Sequence, residues 1–167
     1  MPINFLAGQR LTADDLQALA ATRVTQGTEQ SVASSTTLTD TSIVVPVNDL
    51  TEIRLLVRYT SLGGGMRWAW STTSGSVTMY NRSIGSHGES TTGNAATVAD
   101  MRWRQVLTDD EEQTVDHFTT NTSSLIWEDL IVDGDGELTF QFAQVTSDAS
   151  ETSIHRNSYA TWQRLAA

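Results

Sequence analysis

Side chains that could transfer protons or bind a metal ion are few and scattered in this sequence. The three histidines, His87, His117 and His155, each lack a second histidine at i+2 or i+4, a spacing that would indicate paired metal ligands. The chain has no cysteine, which excludes thiolate nucleophiles, thiolate metal sites and disulfides. We therefore expect no enzyme activity, no cofactor and no metal centre, and we interpret the histidines as surface or loop residues.

Two acidic segments contain carboxylates that could bind a metal ion or take part in catalysis. Asp133–Glu137 places carboxylates at alternate positions, which suits the oxygen ligands of Ca²⁺, although the rest of an EF-hand loop is missing. The Asp-Gly pairs at Asp133 and Asp135 favour a hairpin turn, which is our interpretation, with calcium binding as the alternative. Asp109–Glu112 holds four adjacent carboxylates in a polar stretch. It lacks the contrast between a desolvated acid and an ionised base that glycoside hydrolysis needs.

The aromatic residues form a third group, because tryptophan and tyrosine rings can also stack on sugars. Most of them lie at alternate positions of apolar segments, where burial in a core or a subunit interface is the usual outcome. We assign six of them to the core or to a trimer interface: Tyr59, Trp68, Trp70, Trp127, Phe140 and Phe142. A sugar site in the loops predicted over Ser71–Ala99 stays open as an alternative.

Charge and hydropathy narrow the range of partners. The 20 acidic residues outnumber the 10 basic ones, all of them arginine, and the formal net charge is -10. This balance argues against binding to a phosphate backbone, so we expect no nucleic-acid partner. No apolar run is long enough to cross a membrane, and the first residues lack the basic and apolar regions of a secretory signal. We expect a protein made in the cytoplasm.

One helix is predicted, near the N-terminus. Thr12 is a suitable N-cap, and Asp15 lies three positions later, as in a capping box. Leu11 and Leu16 occupy the positions of a hydrophobic staple, and Leu19 continues one narrow apolar stripe. The spacing predicts a helix over 13–23 whose stripe must be covered by a partner surface, since a helix of this length is marginal alone.

The rest of the chain is predicted to be all-β. Thr25–Thr41 is polar and is interpreted as an extended arm, so residues 1–41 would form a helix and arm and residues 42–167 a folded domain. The alternation of Leu50–Thr60 predicts a strand with Ile53, Leu55, Val57 and Tyr59 on its buried face. Further short strands are expected around 43–47, 66–70, 77–80, 101–106, 114–119, 125–132, 138–145 and 158–165. This pattern favours a β-sandwich, with a jelly roll as the expected topology.

The opening segment resembles a known group of proteins. Phe5-Leu6-Ala7-Gly8-Gln9-Arg10-Leu11-Thr12-Ala13-Asp14-Asp15-Leu16 is similar to the start of many small virion proteins from tailed phages of high-GC Gram-positive bacteria, which share the pattern Phe-x-Ala-Gly-Gln-x-Leu-Thr-Ala-x-x-Leu. Phe140–Ala149 is similar to the closing strands of their jelly-roll domains. The absence of lysine agrees with a GC-rich coding sequence.

The resemblance implies a non-enzymatic virion component with a trimeric jelly roll of the C1q and tumour-necrosis-factor shape. The N-terminal segment would anchor it to other virion proteins through Phe5, Leu11, Leu16 and Leu19. We expect a homotrimer in a tail fibre or tail tip that contacts a host-surface glycan, with capsid decoration as the alternative location. A carbohydrate-binding module outside any virion is the alternative of a different class.

Overall fold

The fold was examined in a computed structural model that describes residues 21–87, 102–106, 112–115 and 124–165. The described part is all-β and has ten strands in one antiparallel sheet. They are β1 Thr22–Thr25, β2 Gln30–Val32, β3 Thr39–Asn48, β4 Thr51–Ser61, β5 Met66–His87, β6 Arg102–Val106, β7 Gln113–Val115, β8 Ser124–Ala143, β9 Thr152–Ile154 and β10 Tyr159–Arg164. Within these residues, no helix is long and apolar enough to cross a membrane.

Two long strands organise the sheet. β5 and β8 pair with each other from Arg67↔Ala143 to His87↔Leu125. The first part of β8 also pairs with β4, and its last part pairs with β3. We call the paired β5 and β8 the β5–β8 ribbon. The end of this ribbon that contains the first part of β8 belongs to the strand order β1-β10-β4-β8-β5-β6. At its other end, β8 pairs with β3 and β5 pairs with β7. Short β2 and β9 pair with each other, and β9 extends the end of β4.

Glycines lie opposite one another where β8 changes its partner from β4 to β3. Gly75 pairs with Gly136, and Gly134 pairs with Val77. Gly75 and Gly134 have φ angles of 68° and 147°, a region that side-chain-bearing residues rarely adopt. A Cβ on Gly75 would overlap the carbonyl oxygen of Asp135, and one on Gly134 would overlap that of Ser76. Glycine thus allows the two backbones to approach closely at this point.

The two ends of the β5–β8 ribbon, each with the strands that pair with it, form two parts of the sheet. These two parts enclose one core. Ile53, Leu55 and Val57 of β4 are at most 3% exposed, which confirms the predicted buried face of that strand. They belong to the same buried cluster as Val45 of β3 and Trp70 of β5. The Trp70 and Phe140 rings contact edge to face, with centroids 5.4 Å apart. Side chains from both ends of the β5–β8 ribbon therefore meet in one interior.

The stretch that was predicted as an arm contributes strands. β1 pairs with β10 and β2 with β9, and the Gln26 side chain is buried and accepts hydrogen bonds from Ser42. The sheet thus begins at Thr22, and the predicted start of the domain at Ser42 is too late. Polar strands were read as a linker because their hydrogen-bond partners lie near the end of the chain. The end of the predicted helix is wrong, because Ala21 is not helical and Thr22 and Arg23 are in β1. Residues 13–20 of that helix lie outside the described residues.

Two further predictions are corrected. The Ser71–Ala99 loop is wrong for its first part, since β5 continues unbroken to His87. The serines and threonines over residues 72–78 are exposed, so this part of the strand has little apolar patterning, yet its backbone is paired with β8. The hairpin turn over 133–136 is also wrong, because β8 runs straight through it. The glycines that favour a turn serve the close approach to β5 instead.

The strands predicted over 101–106 and 158–165 are close to β6 and β10. The strand predicted over 114–119 overlaps β7 at residues 114 and 115, and its other residues lie outside the described ones. β3 contains Pro46 and pairs with β8 alone among the described strands, as is usual for a strand that contains a proline. β3 also has a register shift between Asp40 and Val44. Residues 144–151 connect β8 to the short strand β9.

Candidate functional site

An aromatic row crosses the outer face of the sheet. Cross-strand pairing places Tyr159 of β10 beside Leu56 of β4, Leu56 beside Trp127 of β8, and Trp127 beside Gly85 of β5. All four lie on the face opposite the core, because their chain neighbours Leu55, Ile126 and Ala160 are buried. The first three side chains are half-buried. We call these four residues, Tyr159, Leu56, Trp127 and Gly85, the aromatic row.

Gly85 determines how Trp127 lies. A Cβ at position 85 would overlap the indole atoms Cε2, Cζ2 and Nε1 of Trp127. The indole therefore covers the glycine backbone of the neighbouring strand and spreads across the sheet. A glycine inside a strand weakens it, and an aromatic neighbour that covers the backbone compensates. The result is a flat aromatic surface with one side against the sheet.

Three arginines border the aromatic row. Arg54 is bound by two carboxylates, Glu52 at 2.9 Å and Asp129 at 3.7 Å, and its hydrogen bond with Glu52 raises its pKa further. The Arg23 guanidinium lies over the Tyr159 ring, 3.9 Å from its centroid, in a cation–π contact. Arg58 is exposed. Neither Arg23 nor Arg58 forms an ion pair with a described residue. This face therefore offers cations to a ligand although the whole protein is acidic.

A shallow cleft lies next to the aromatic row, at the edge of the same face. It is lined by Ala21, Glu52, Arg54, Thr161, Trp162 and Gln163. Trp162 packs partly against the core, and Gln163 donates a hydrogen bond to Glu52 at 2.7 Å. The arrangement leaves polar side chains beside the aromatic surface, as expected for a binding surface that orients a ligand through hydrogen bonds.

A second polar constellation is buried in the core around Glu128. Its carboxylate accepts hydrogen bonds from Trp68 Nε1 and, at 2.7 Å, from Trp70 Nε1. Arg82 adds an ion pair at 2.8 Å, and the two charged side chains are at most 1% exposed. Trp68 and Trp70 come from one end of β5, whereas Arg82 comes from the other. Glu128 thus joins the two parts of the folded sheet inside the core.

Sequence patterning missed the Glu128 cluster. The available signal was the alternation of buried and exposed residues in β8, since Glu128 lies on the same strand face as the buried Ile126 and Leu130. A carboxylate on a buried strand face requires a charged partner or several donors. Only the fold shows that Arg82 and the two indoles supply them.

His155 forms the third polar constellation. Its Nδ1 lies 3.0 Å from a Glu29 carboxylate oxygen, and its Nε2 lies 2.6 Å from the Thr60 hydroxyl. Carboxylate, imidazole and hydroxyl thus follow one another in the order of a proton relay. The neighbouring Ser31 and Ser153 hydroxyls also meet across strands, at 2.7 Å. We interpret both contacts as polar links that hold β2 and its preceding loop against β9 and β4.

The predicted site residues divide into three groups. Tyr59, Trp68, Trp70, Phe140 and Phe142 are at most 3% exposed within the single chain, so they belong to its own core. Trp127 is the half-buried exception, in the aromatic row. The predicted anchoring residues, Phe5, Leu11, Leu16 and Leu19, lie outside the described residues.

The alternative calcium site finds no support in the described part of the chain, which contains no group of three or more His, Asp or Glu side chains placed to hold a metal ion. Asp133 and Asp135 lie within β8. In comparisons with known proteins, no protein-family model and no curated protein matches the chain.

Proposed function

We propose that this chain is a non-enzymatic structural protein of a tailed-phage virion, part of a tail fibre or tail tip that contacts the host surface. The N-terminal segment attaches it to other virion proteins through Phe5, Leu11, Leu16 and Leu19, and the β domain projects outwards. The protein is made in the host cytoplasm and acts in the virion. The resemblance of Phe5–Leu16 to the openings of small virion proteins is the observation that carries this proposal.

The fold agrees with this role in two respects. Its core is filled by side chains of one chain, including five of the six predicted aromatics, so the domain needs no partner to bury them. The strand faces with the most serine and threonine, in β5, are exposed. A module of this kind suits a particle surface, where a stable polar exterior is needed. We also propose the finer topology, a jelly-roll β-sandwich whose two layers are the two parts of the sheet.

Assembly as a homotrimer is part of the proposal. Since the five buried aromatics are not available to a neighbour, a trimer interface has to use other surfaces than those aromatic faces. The described edge strands β3 and β6 each pair on one side only and are the natural places for copies to meet.

Capsid decoration is the alternative location within the same class. Immunogold labelling of intact phage with antibody against the β domain distinguishes the two. Gold at the tail tip or fibres supports the proposal, and gold on the head selects decoration. Purified particles that lack the protein by mass spectrometry would contradict both.

A carbohydrate-binding module outside any virion is the second candidate function, and the aromatic row with its flanking arginines is the observation that favours it. It predicts glycan binding by a protein that is absent from particles. Mass spectrometry of particles combined with binding assays on the purified chain separates the two functions.

A further inference from the structure

We propose that the aromatic row binds an oligosaccharide that carries carboxylate groups. The proposal deepens the attachment role by naming a ligand class and a surface for it. The binding itself is a property of the domain and does not depend on where the protein is located. Three features of the described face carry it: a flat indole, a second ring on the same row, and two arginines without carboxylate partners.

The first feature is the shape of the platform. One face of a sugar ring is made of C–H groups, which pack on the face of an aromatic ring, while the hydroxyls point outwards to polar groups. Trp127 offers such a face because Gly85 lets the indole lie against the sheet. Tyr159 lies two strands away on the same row, at about 10 Å from the spacing of adjacent strands. An extended chain that packs on the indole and reaches Tyr159 with the Arg23 guanidinium over its ring fits this geometry better than one small molecule.

The second feature is the charge beside the rings. Arg58 neighbours Leu56 on the outer face of β4, and Arg23 lies over Tyr159. A guanidinium forms paired hydrogen bonds with a planar carboxylate and binds it better than a neutral hydroxyl. Arg54 lies on the same face but is already bound by Glu52 and Asp129, so it is expected to orient the surface and not to bind the carboxylate.

A second copy of this chain is the less suitable occupant. Stable protein interfaces bury about 800 Å² on each partner. The apolar side chains of the aromatic row are already half-buried in their own sheet, so they offer only part of each ring.

Isothermal titration calorimetry of the full chain tests the proposal. The probes are a hexamer of galacturonic acid and the neutral maltohexaose. We expect saturable binding of the acidic hexamer that weakens with added salt, and weaker binding of the neutral one. Trp127→Ala should reduce the affinity for the acidic hexamer about tenfold. Tyr80→Ala, which removes an exposed ring outside the aromatic row, is the matched control and should bind as the wild type does.

Two further variants keep the test decisive if Trp127→Ala unfolds. Arg58→Glu alters only an exposed side chain and should abolish the preference for the acidic hexamer. Gly85→Ala should weaken binding by displacing the indole. If the wild type binds neither hexamer, the proposal is overturned. Wild-type affinity for the acidic hexamer in folded Trp127→Ala and Arg58→Glu would also overturn it.

Light scattering supplies the remaining control. An oligomer of the wild type that dissociates in Trp127→Ala would show that a second copy covers the aromatic row, which also overturns the proposal. The virion role is judged separately, since it depends on finding the protein in purified particles.

Discussion

Glu128 and Arg82 form an ion pair inside the core, where charge is costly unless it is fully compensated. Two indole N–H groups and one guanidinium surround the carboxylate, so both charged groups have partners. Removing one member of such a pair takes away a partner that compensates the buried charge of the other. Replacing both members by apolar side chains avoids that penalty.

We expect Glu128→Ala to lower the free energy of unfolding by about 3–5 kcal/mol. The double variant Glu128→Leu/Arg82→Met should be far less destabilised, since both members of the ion pair are then apolar. Urea unfolding followed by tryptophan fluorescence measures both. If the single and double variants lose the same stability, the pair is not the reason for the loss.

Tyr59 gives the fold a sensitivity to alkaline pH. Burial raises the pKa of its phenol above the ordinary value of about 10, because the phenolate would lose its hydration. A group whose pKa is raised on folding contributes its full stability below its unfolded pKa, and that contribution is lost as pH rises from there. The loss therefore begins near pH 10 and is absent at neutral pH.

Tyr59→Phe should accordingly be less sensitive to alkali. We expect the wild type to lose stability between about pH 10 and pH 12, while the variant changes less over that interval. Thermal melting across this range is the measurement. Tyr80→Phe is the control, because Tyr80 is exposed. Parallel pH profiles for wild type and Tyr59→Phe would contradict the assignment.

At the scale of elements, the glycines of the β5–β8 ribbon determine where β8 leaves β4 and pairs with β3. Gly134→Ala should destabilise the fold by about 2 kcal/mol or more, since it combines an unfavourable φ with an overlap against Ser76. Gly27→Ala is the control, because open space surrounds its added Cβ. Denaturant unfolding of both variants compares them, and equal stability would show that the ribbon tolerates a side chain there.

Period-two alternation predicted the strands whose apolar signal is strong. The buried face of β4 and the burial of Phe140 and Phe142 could be read from sequence because core residues alternate there with polar ones. The second part of β5 could not, since its exposed serines and threonines resemble a loop and its order comes from pairing with β8. The Asp-Gly pairs failed for a related reason. Positive φ is needed both in a tight turn and where two backbones approach closely, and the local sequence does not distinguish them.

The candidate site was less accessible to sequence analysis than the fold. Trp127 was assigned to the core or a trimer interface, but only the pairing with Gly85 shows that its ring lies on the outer face. Leu56 is an apolar residue on the otherwise polar face of its strand, which the alternation of residues 50–60 shows. Its neighbours Tyr159 and Trp127 come from segments more than sixty residues later, so the aromatic row exists only once the strands are in register.

At the scale of the whole molecule, the N-terminal segment and the β domain should be separable. The deletion has to stop before Thr22, since residues 22–25 form β1 and cover one edge of β10. We expect a chain that lacks residues 1–20 to be folded and soluble, to keep its oligomeric state, and to be absent from particles. Leu16→Asp with Leu19→Asp should have the same effect without shortening the chain.

Circular dichroism, light scattering and mass spectrometry of particles check these three expectations. An unfolded truncated domain would show that the N-terminal segment belongs to the core. If the wild type is an oligomer and the truncated chain is a folded monomer, the subunit contact lies in the N-terminal segment. Normal incorporation of the truncated chain into particles would contradict the anchoring role.

The late position of β8 in the chain affects how the protein is made. Thr51 pairs with Val132 and Thr39 with Phe142, so β3 and β4 have no sheet partner among the described strands until β8 has been synthesised. A ribosome needs on the order of 10 s to add the intervening residues. During that time, the apolar faces of β3 and β4 are exposed to other nascent chains. Sheets built from such distant pairs fold slowly, on a scale of milliseconds to seconds. Yield in a bacterial host should therefore depend on chaperone supply and growth temperature more than on final stability.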